Sequence, residues 1–353
     1  MTEQQTMLVE MVERLFADMM AAGMPKLAAK DLQDPLWSSL EELGLCELFA
    51  PEEEGGFGGT WQDAFYVFKL AGRHALPLPI GETLVAKKLL LDAGINHSGG
   101  ALTLGIAQQA ALKKDATSDH WLLTANACAV PWGVYASNIV LACSHQNEEF
   151  LLLLRSDSAA VVQHFTNEAG EQRCDLRFDN AVVTQIQPQI SAGETMHQLG
   201  ALLRSAQIAG ALEAALNQTV AYTNERVQFG RSLSQFQVIQ HQLALLAEET
   251  AAVSCAARAA CRSADVGDAS FEVAAAKLRA NRSVTQSTSI AHQCHGAIGF
   301  TEEHVLHFFT QRLWSWRSEF GNDRHWATYL GRRVLAEGAE NFWPNLTARS
   351  DRN

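Results

Sequence analysis

Two short segments in the last third of the chain have the residue types and spacing to hold a phosphate-bearing ligand. The first is Glu225-Arg226-Val227-Gln228-Phe229-Gly230. Arg226 offers a fork of N–H donors that matches a dinucleotide pyrophosphate, and its charge persists at neutral pH. Gln228 adds an amide donor and Phe229 a flat apolar face, while Gly230 lets the chain turn out of a helix. Gln237, in the following Gln235-Phe236-Gln237, can reach the same ligand or cap the turn. The second segment is Gln293-Cys294-His295-Gly296-Ala297-Ile298-Gly299-Phe300. Gly296 and Gly299 permit close backbone approach and present N–H groups to a phosphate or an adenosine. His292 and His295 flank this turn as polar cap residues. The dispersed histidines form no metal constellation, and neither a Ser-His-Asp spacing nor a Walker-type loop can be read.

Each segment lies where one helical pattern ends and another begins. Long Ala-rich stretches predict helices over Glu194–Arg226, Ser234–Arg262, Phe271–Gln293 and Glu303–Arg317, then a shorter one from about Asp323 to Glu337. Alanine favours helix and lets neighbouring helices approach closely. Leu243, Leu246, Thr250, Val253 and Ala257 make a seam at three- and four-residue spacing. An antiparallel four-helix bundle is expected over residues 191–353, with Asn345–Asn353 frayed.

Residues 1–100 also read as helical. Leu8, Met11, Val12, Leu15 and Phe16 line one face. Asp34-Pro35 is a helix start, Leu36, Leu40 and Leu43 extend the stripe, and Gly44 is a stop. Further helices are expected from about Trp61 to Arg73 and from Gly81 to Ala93. Between the helical parts, residues 101–190 hold short β-prone runs at Leu102–Ile106, Trp121–Ala125, Asn138–Cys143, Phe150–Leu154, Ala159–His164 and Leu176–Val183. Turn-prone clusters such as Thr117-Ser118-Asp119 separate them, and no helix-length period intervenes. A middle antiparallel β domain follows, and the fold class is α+β.

At 353 residues the chain is long enough for two or three domains. Its composition, 47% hydrophobic and 19% charged, is that of a globular protein. A net charge of −12 argues against attraction to nucleic acid or anionic membrane. Seven scattered cysteines suggest no disulfide framework. With neither a signal-like N-terminus nor a membrane-length apolar run, a cytoplasmic protein is expected.

Taken together, the two C-terminal segments resemble the flavin-contacting signatures of the acyl-CoA dehydrogenase family. Leu40-Glu41-Glu42-Leu43-Gly44-Leu45, Pro51–Gly59 and Ala71-Gly72-Arg73 resemble its N-terminal signature. The resemblance implies an N-terminal helical domain, a middle β domain and a C-terminal bundle that together hold FAD. It also implies an oxidoreductase of lipid metabolism, desaturating an acyl-CoA thioester between its α and β carbons. Arg226, Gln228, Phe229 and Gln237 would contact the pyrophosphate side of the cofactor. Gln293, Gly296, Ala297 and Gly299 would hold the adenosine half of a neighbouring subunit's FAD, and Asn322 and Arg324 are further matching contacts. A homodimer or homotetramer, or a heteromer with a homologous subunit, is implied, with an electron-transfer flavoprotein-type acceptor. In the β domain, Leu102–Ile106 and Val130-Pro131-Trp132-Gly133 stand at the family's flavin-facing stretches. The first lacks the acidic-proline element, and Trp132 reads as a packing residue.

The catalytic base is where the chain departs from the pattern. The family's glutamate position holds Phe320, and the position used by some other members falls at Gly200. Glu319 is the nearest carboxylate, and Trp314, Trp316 and Phe320 suggest apolar surroundings that would raise its pKa. Three readings stay open: Glu319 reaches in, Asp323 or Glu303 serves after a local shift, or a partner subunit provides the base.

Overall fold

A computed structural model describes residues 2–21, 30–97, 99–116 and 118–350. Thr117 of the expected turn and the last three residues of the expected frayed tail lie outside these. Helix α1 (Glu3–Met20) opens with a Thr2/Gln5 capping box and buries Val12 and Phe16. Helix α2 (Lys30–Glu42) begins before the expected start, so Pro35 lies inside it. Proline is favoured at a first turn but not confined to it. Gly44 ends this segment with a left-handed φ of 71°. Helices α3 (Trp61–Arg73) and α4 (Ile80–Asp92) follow, α3 opened by a Thr60/Asp63 capping box.

The middle of the chain forms two four-stranded sheets. One is ordered β1 (Leu102–Ile106), β4 (Asn138–His145), β5 (Glu148–Arg155), β8 (Gln185–Pro188). The other is β2 (Gln108–Lys114), β3 (Trp121–Pro131), β7 (Gln172–Val183), β6 (Ala160–Thr166). Leu123, Leu141, Leu152, Cys174 and Phe178 form a buried cluster of this domain. The strands pair antiparallel as expected, except that β1 runs parallel to β4. β2 and β8 carry few β-branched residues and were not legible as strands. Trp132 is buried and packs edge-on against Tyr135.

The rest is helical. Helix α5 (Ala192–Glu225) leads through a short hairpin, β9 (Val227–Gln228) and β10 (Arg231–Ser232), into α6 (Gln237–Val266). Helices α7 (Ser270–His295), α8 (Leu306–Ser318), α9 (Asp323–Glu337) and α10 (Ala339–Ser350) follow. The seam residues Leu246, Thr250, Val253 and Ala257 are buried as expected, and Leu243 is half-buried. The tail expected to fray from Asn345 is helical through Ser350. Arg349 ties it to Glu272 at 2.9 Å and to Asp268 at 3.2 Å.

Two features of the bundle position the site. First, α3 lies on α5 with Gly72 against the Gln207 carbonyl and Gly210 against that of Lys69, where a methyl group would overlap backbone. The N-terminal helices and the bundle therefore share one core, which also takes in β1 residues Leu102 and Leu104. Second, α5, α6 and α7 alternate in direction, so α5 and α7 finish at the same end. The Tyr222 ring stacks on His295 there at 4.6 Å.

Candidate functional site

The sequence-predicted residues fall at two ends of the bundle. At the first, the C-terminal ends of α5 and α7, the hairpin after α5 and the start of α6 present Arg226, Gln228, Phe229, Gln237, Gln293, Gly296 and Ala297, all exposed. Phe229 is 92% exposed and Phe300 74%. Arg226 makes no ion pair among the described residues. Gly296 takes φ +66° with open space where a side chain would stand. Gly299 differs from the expectation of an open N–H surface. It is buried, and a Cβ there would come within 2.8 Å of the His295 Cβ, so its small size serves the chain's own turn. Beneath the turn, His295 Nδ1 bonds the Ala291 carbonyl at 2.7 Å, and its buried Nε2 has no partner among the described residues. Burial lowers the pKa of His292, His295 and His304 alike.

The second end holds Glu319, Phe320, Asn322 and Arg324. Gly200 lies there too, about 39 Å along α5 from Arg226 at the 1.5 Å rise per residue. Asn322 is the N-cap of α9, its side-chain oxygen accepting from the His325 N–H at 3.0 Å. Arg324 is exposed, in a cleft of about 410 Å³ shared with His325, Thr328 and Arg332.

Phe320 and Gly200, which the resemblance set at glutamate positions, are in contact. The Phe320 ring occupies the space that a side chain on Gly200 would need. Phe320 takes a left-handed φ of +50° and Gly321 follows at +99°. A bulky residue holds such a conformation only where its surroundings over-determine it. Here Trp326 Nε1 donates to the Phe320 carbonyl at 3.0 Å. Lys277 Nζ donates to the carbonyls of Trp316 (3.0 Å), Arg317 (3.1 Å) and Gly321 (3.2 Å) and to Asn281 Oδ1 (2.6 Å). Burial pulls the Lys277 ammonium down to about 7 against the pull of Glu319. His197 fits against Phe320 and stacks on Trp326.

Glu319 does not have the expected apolar surroundings. Its Oε1 accepts from Arg173 Nη2 at 2.5 Å and Nε at 3.1 Å, and its Oε2 from Arg204 Nε at 2.7 Å. Burial alone would raise its pKa. The two guanidiniums outweigh burial and bring it down to about 2, the opposite of the expected shift. The arginines are themselves anchored. Arg204 Nη2 donates to Glu82 at 2.6 Å and Nη1 to Gln207 at 2.5 Å. Arg173 Nη2 donates to Glu171 at 3.0 Å. Glu171 also accepts from Trp316 Nε1 at 3.0 Å and lies 3.4 Å from Arg312. Three carboxylates and three guanidiniums from α4, α5, β7, α8 and their flanks thus join the three parts of the fold. The other candidate carboxylates lie outside this network. Asp323 pairs with Arg317 at 2.7 Å, and Glu303 lies beyond the opposite end of α8, beside His304.

Sequence reasoning missed this network, though Arg204 carried a signal. It stands in a stretch of α5, residues 200–212, whose other members apart from Gln207 are small or apolar, where a charge requires a buried partner.

Two family models match the chain: "Acyl-CoA dehydrogenase, N-terminal domain" over residues 2–99 and "Acyl-CoA dehydrogenase, C-terminal domain" over residues 193–333. Among curated proteins, "Acyl-CoA dehydrogenase IpdE2" of Mycobacterium tuberculosis is 28% identical over 314 residues, covering 88% of this chain and 91% of its own. Two solved structures share the fold. Butyryl-CoA dehydrogenase from Megasphaera elsdenii superposes with a TM-score of 0.85 at 17% identity, covering 95% of this chain and 99% of its own. The ChsE4-ChsE5 complex of Mycobacterium tuberculosis superposes at 0.81 and 18% identity, covering 96% and 98%.

Proposed function

Because the chain belongs to the acyl-CoA dehydrogenase family, we propose that it is the flavin-binding, non-catalytic subunit of a heteromeric acyl-CoA dehydrogenase. The family is one of FAD-dependent flavoproteins, and FAD is the cofactor of this fold. The observation that carries the reading is the Phe320 ring seated on Gly200, which fills both glutamate positions of the signature with hydrocarbon. Phenylalanine cannot accept a proton, and Glu319 is held as a carboxylate by two arginines. A base must take the proton it abstracts, and a group whose pKa stands near 2 is a weak one. That one similar structure is described as a ChsE4-ChsE5 complex agrees with assembly from two different chains.

The open end of the bundle fits the cofactor. Arg226 has its donors free for a pyrophosphate, the Gly296 turn leaves space at its backbone, and Phe229 and Phe300 expose flat apolar faces. Bound FAD supplies the hydride acceptor. In the heteromer this chain contributes those contacts and excludes water, and the partner contributes the base that removes the α-proton. An electron-transfer flavoprotein-type acceptor, which the resemblance implies, would take the electrons.

The test is the visible spectrum of the purified chain during addition of acyl-CoA thioesters. The expected result is a flavin band that does not bleach for the chain alone and bleaches once the homologous subunit is added. Bleaching by the chain alone, abolished in Glu319→Gln, would overturn the reading and restore Glu319 as the base.

A further inference from the structure

We propose that His295 and His304 hold the Gly296–Phe300 turn closed only while both are uncharged, so that acidification opens the turn and withdraws the surface it presents. The turn is packed on imidazole rings. Phe300 stacks on His292 at 4.4 Å, His295 stacks on Tyr222 of α5 at 4.6 Å, and His304 meets His295 edge-on at 4.6 Å. The hydrogen bonds fix where each proton sits. The Ala291 carbonyl can only accept, so His295 carries its proton on Nδ1. Its Nε2 is a bare lone pair, buried and without a partner among the described residues. A second proton there would make a buried N–H with no acceptor, because Tyr222 covers the ring face and makes no hydrogen bond to it.

His304 is set the opposite way. Its Nδ1 accepts from the Leu306 N–H at 3.2 Å, the first N–H of α8, so its proton sits on Nε2. Charging it turns N–H against N–H at a helix start, where the partial positive charge already disfavours a cation. The two rings are close enough for each charge to oppose the other. The titratable groups that face the pair are Tyr222 from α5, His292 from α7 and His307 from α8, and none is a carboxylate. His292 opposes a charge on His295, and His307 one on His304. Burial accordingly holds both rings below the ordinary histidine pKa. Opening the turn returns them toward 6.5, so the closed form keeps its full advantage above that pH and loses it as pH falls below. Each imidazole that stays neutral until the turn opens shifts the opening equilibrium by up to about thirtyfold between pH 7.5 and 5.0.

The proposal deepens the reading above, because Gly296, Ala297 and Phe300 belong to the open end that would meet the cofactor or a second subunit. The experiment is amide hydrogen exchange of the full chain, read by mass spectrometry in peptides spanning residues 296–308 at pH 7.5 and 5.0 and corrected for the intrinsic effect of pH. Opening in the parent is expected to rise at least about tenfold at pH 5.0. Peptides from the α3–α5 contact should not change. The double variant His295→Phe, His304→Asn keeps a ring against Tyr222 and a side-chain oxygen for the Leu306 N–H two residues on, yet neither group titrates. Its exchange should change by less than about threefold. Should the double variant fold poorly, His304→Asn alone is expected to show a clearly weaker dependence than the parent. A parent that exchanges equally at both pH values, a variant that keeps the parent's dependence, or loosening spread evenly over the whole chain would overturn the proposal. Flavin retention at pH 7.5 separates the two readings: a chain that holds no flavin there sinks the cofactor reading, while the exchange comparison still decides this one.

Discussion

The two ends of the C-terminal bundle have opposite chemistries. At the end formed by α5 and α7, donors and aromatic faces are exposed: Arg226, Gln228 and Phe229 point outward and the Gly296 turn stands open. At the other end almost every polar group has a partner. Arg204 has Glu82, Gln207 and Glu319, and Lys277 has four acceptors for its three hydrogens. Polar groups already satisfied within a fold stabilise it, and groups left open at a surface are available to a ligand or a second subunit. The difference is what the proposed reading draws on: one end leaves donors open to a cofactor, and the other spends its polar groups on the fold itself.

The largest effect should come from breaking the closed end. Arg204→Met leaves the buried Glu82 and Glu319 carboxylates without their shared cation. Removing one partner of a buried pair costs about 3–5 kcal/mol. Urea unfolding at neutral pH measures it, and a loss under about 1 kcal/mol would show that the network does not stabilise this end.

A smaller effect should appear with pH. His197 faces Phe320, His325 and Trp326, with Lys277 close enough to repel its proton. Burial, reinforced by His325 and Lys277, lowers its pKa from 6.5 to about 4. An unfolded chain therefore takes up this proton near pH 6.5 and the folded one only near 4. Its contribution is fully present above 6.5 and lost as pH falls from there toward 4. Glu319, lowered from 4.5 to about 2, loses its contribution in a separate window, as pH falls from 4.5 toward 2. Stability measured between pH 7 and 4 should fall less steeply in His197→Phe than in the parent. An unchanged slope would mean that other groups govern that window.

These two predictions also show which parts of the fold could be read in advance. The α3 and α9 boundaries and most strands followed from periodicity, because a helix face or a strand alternation repeats locally. The resemblance pointed to both turns at the open end because each is a short run of neighbouring residues, 225–230 and 293–300. The closed end was not legible, for two physical reasons. Its ion pairs join residues more than a hundred positions apart, Glu82 to Arg204 and Arg173 to Glu319. The neighbours of Glu319 in sequence, Trp316 and Phe320, are also not what its carboxylate touches. Local sequence suggested a raised pKa, and distant arginines lower it.

The smallest expected effect on stability sharpens the comparison most. Arg226 caps the end of α5, is exposed, and forms no ion pair among the described residues. Surface substitutions of that kind change stability by about 0.5 kcal/mol or less, so Arg226→Ala should unfold in urea almost as the parent does. Its flavin should nevertheless be held more weakly by about 1.5–3 kcal/mol, the scale of a lost hydrogen bond to a charged group. Retention of the visible flavin band through dialysis, compared between parent and variant, reads that loss directly. Arg204→Met supplies the contrast, since it weakens the fold first. If Arg226→Ala keeps its flavin as well as the parent, Arg226 is an ordinary helix-end arginine and the cofactor reading of the open end loses its strongest donor. If it loses flavin and stability together, the open end is part of the folding core and the division between the two ends fails.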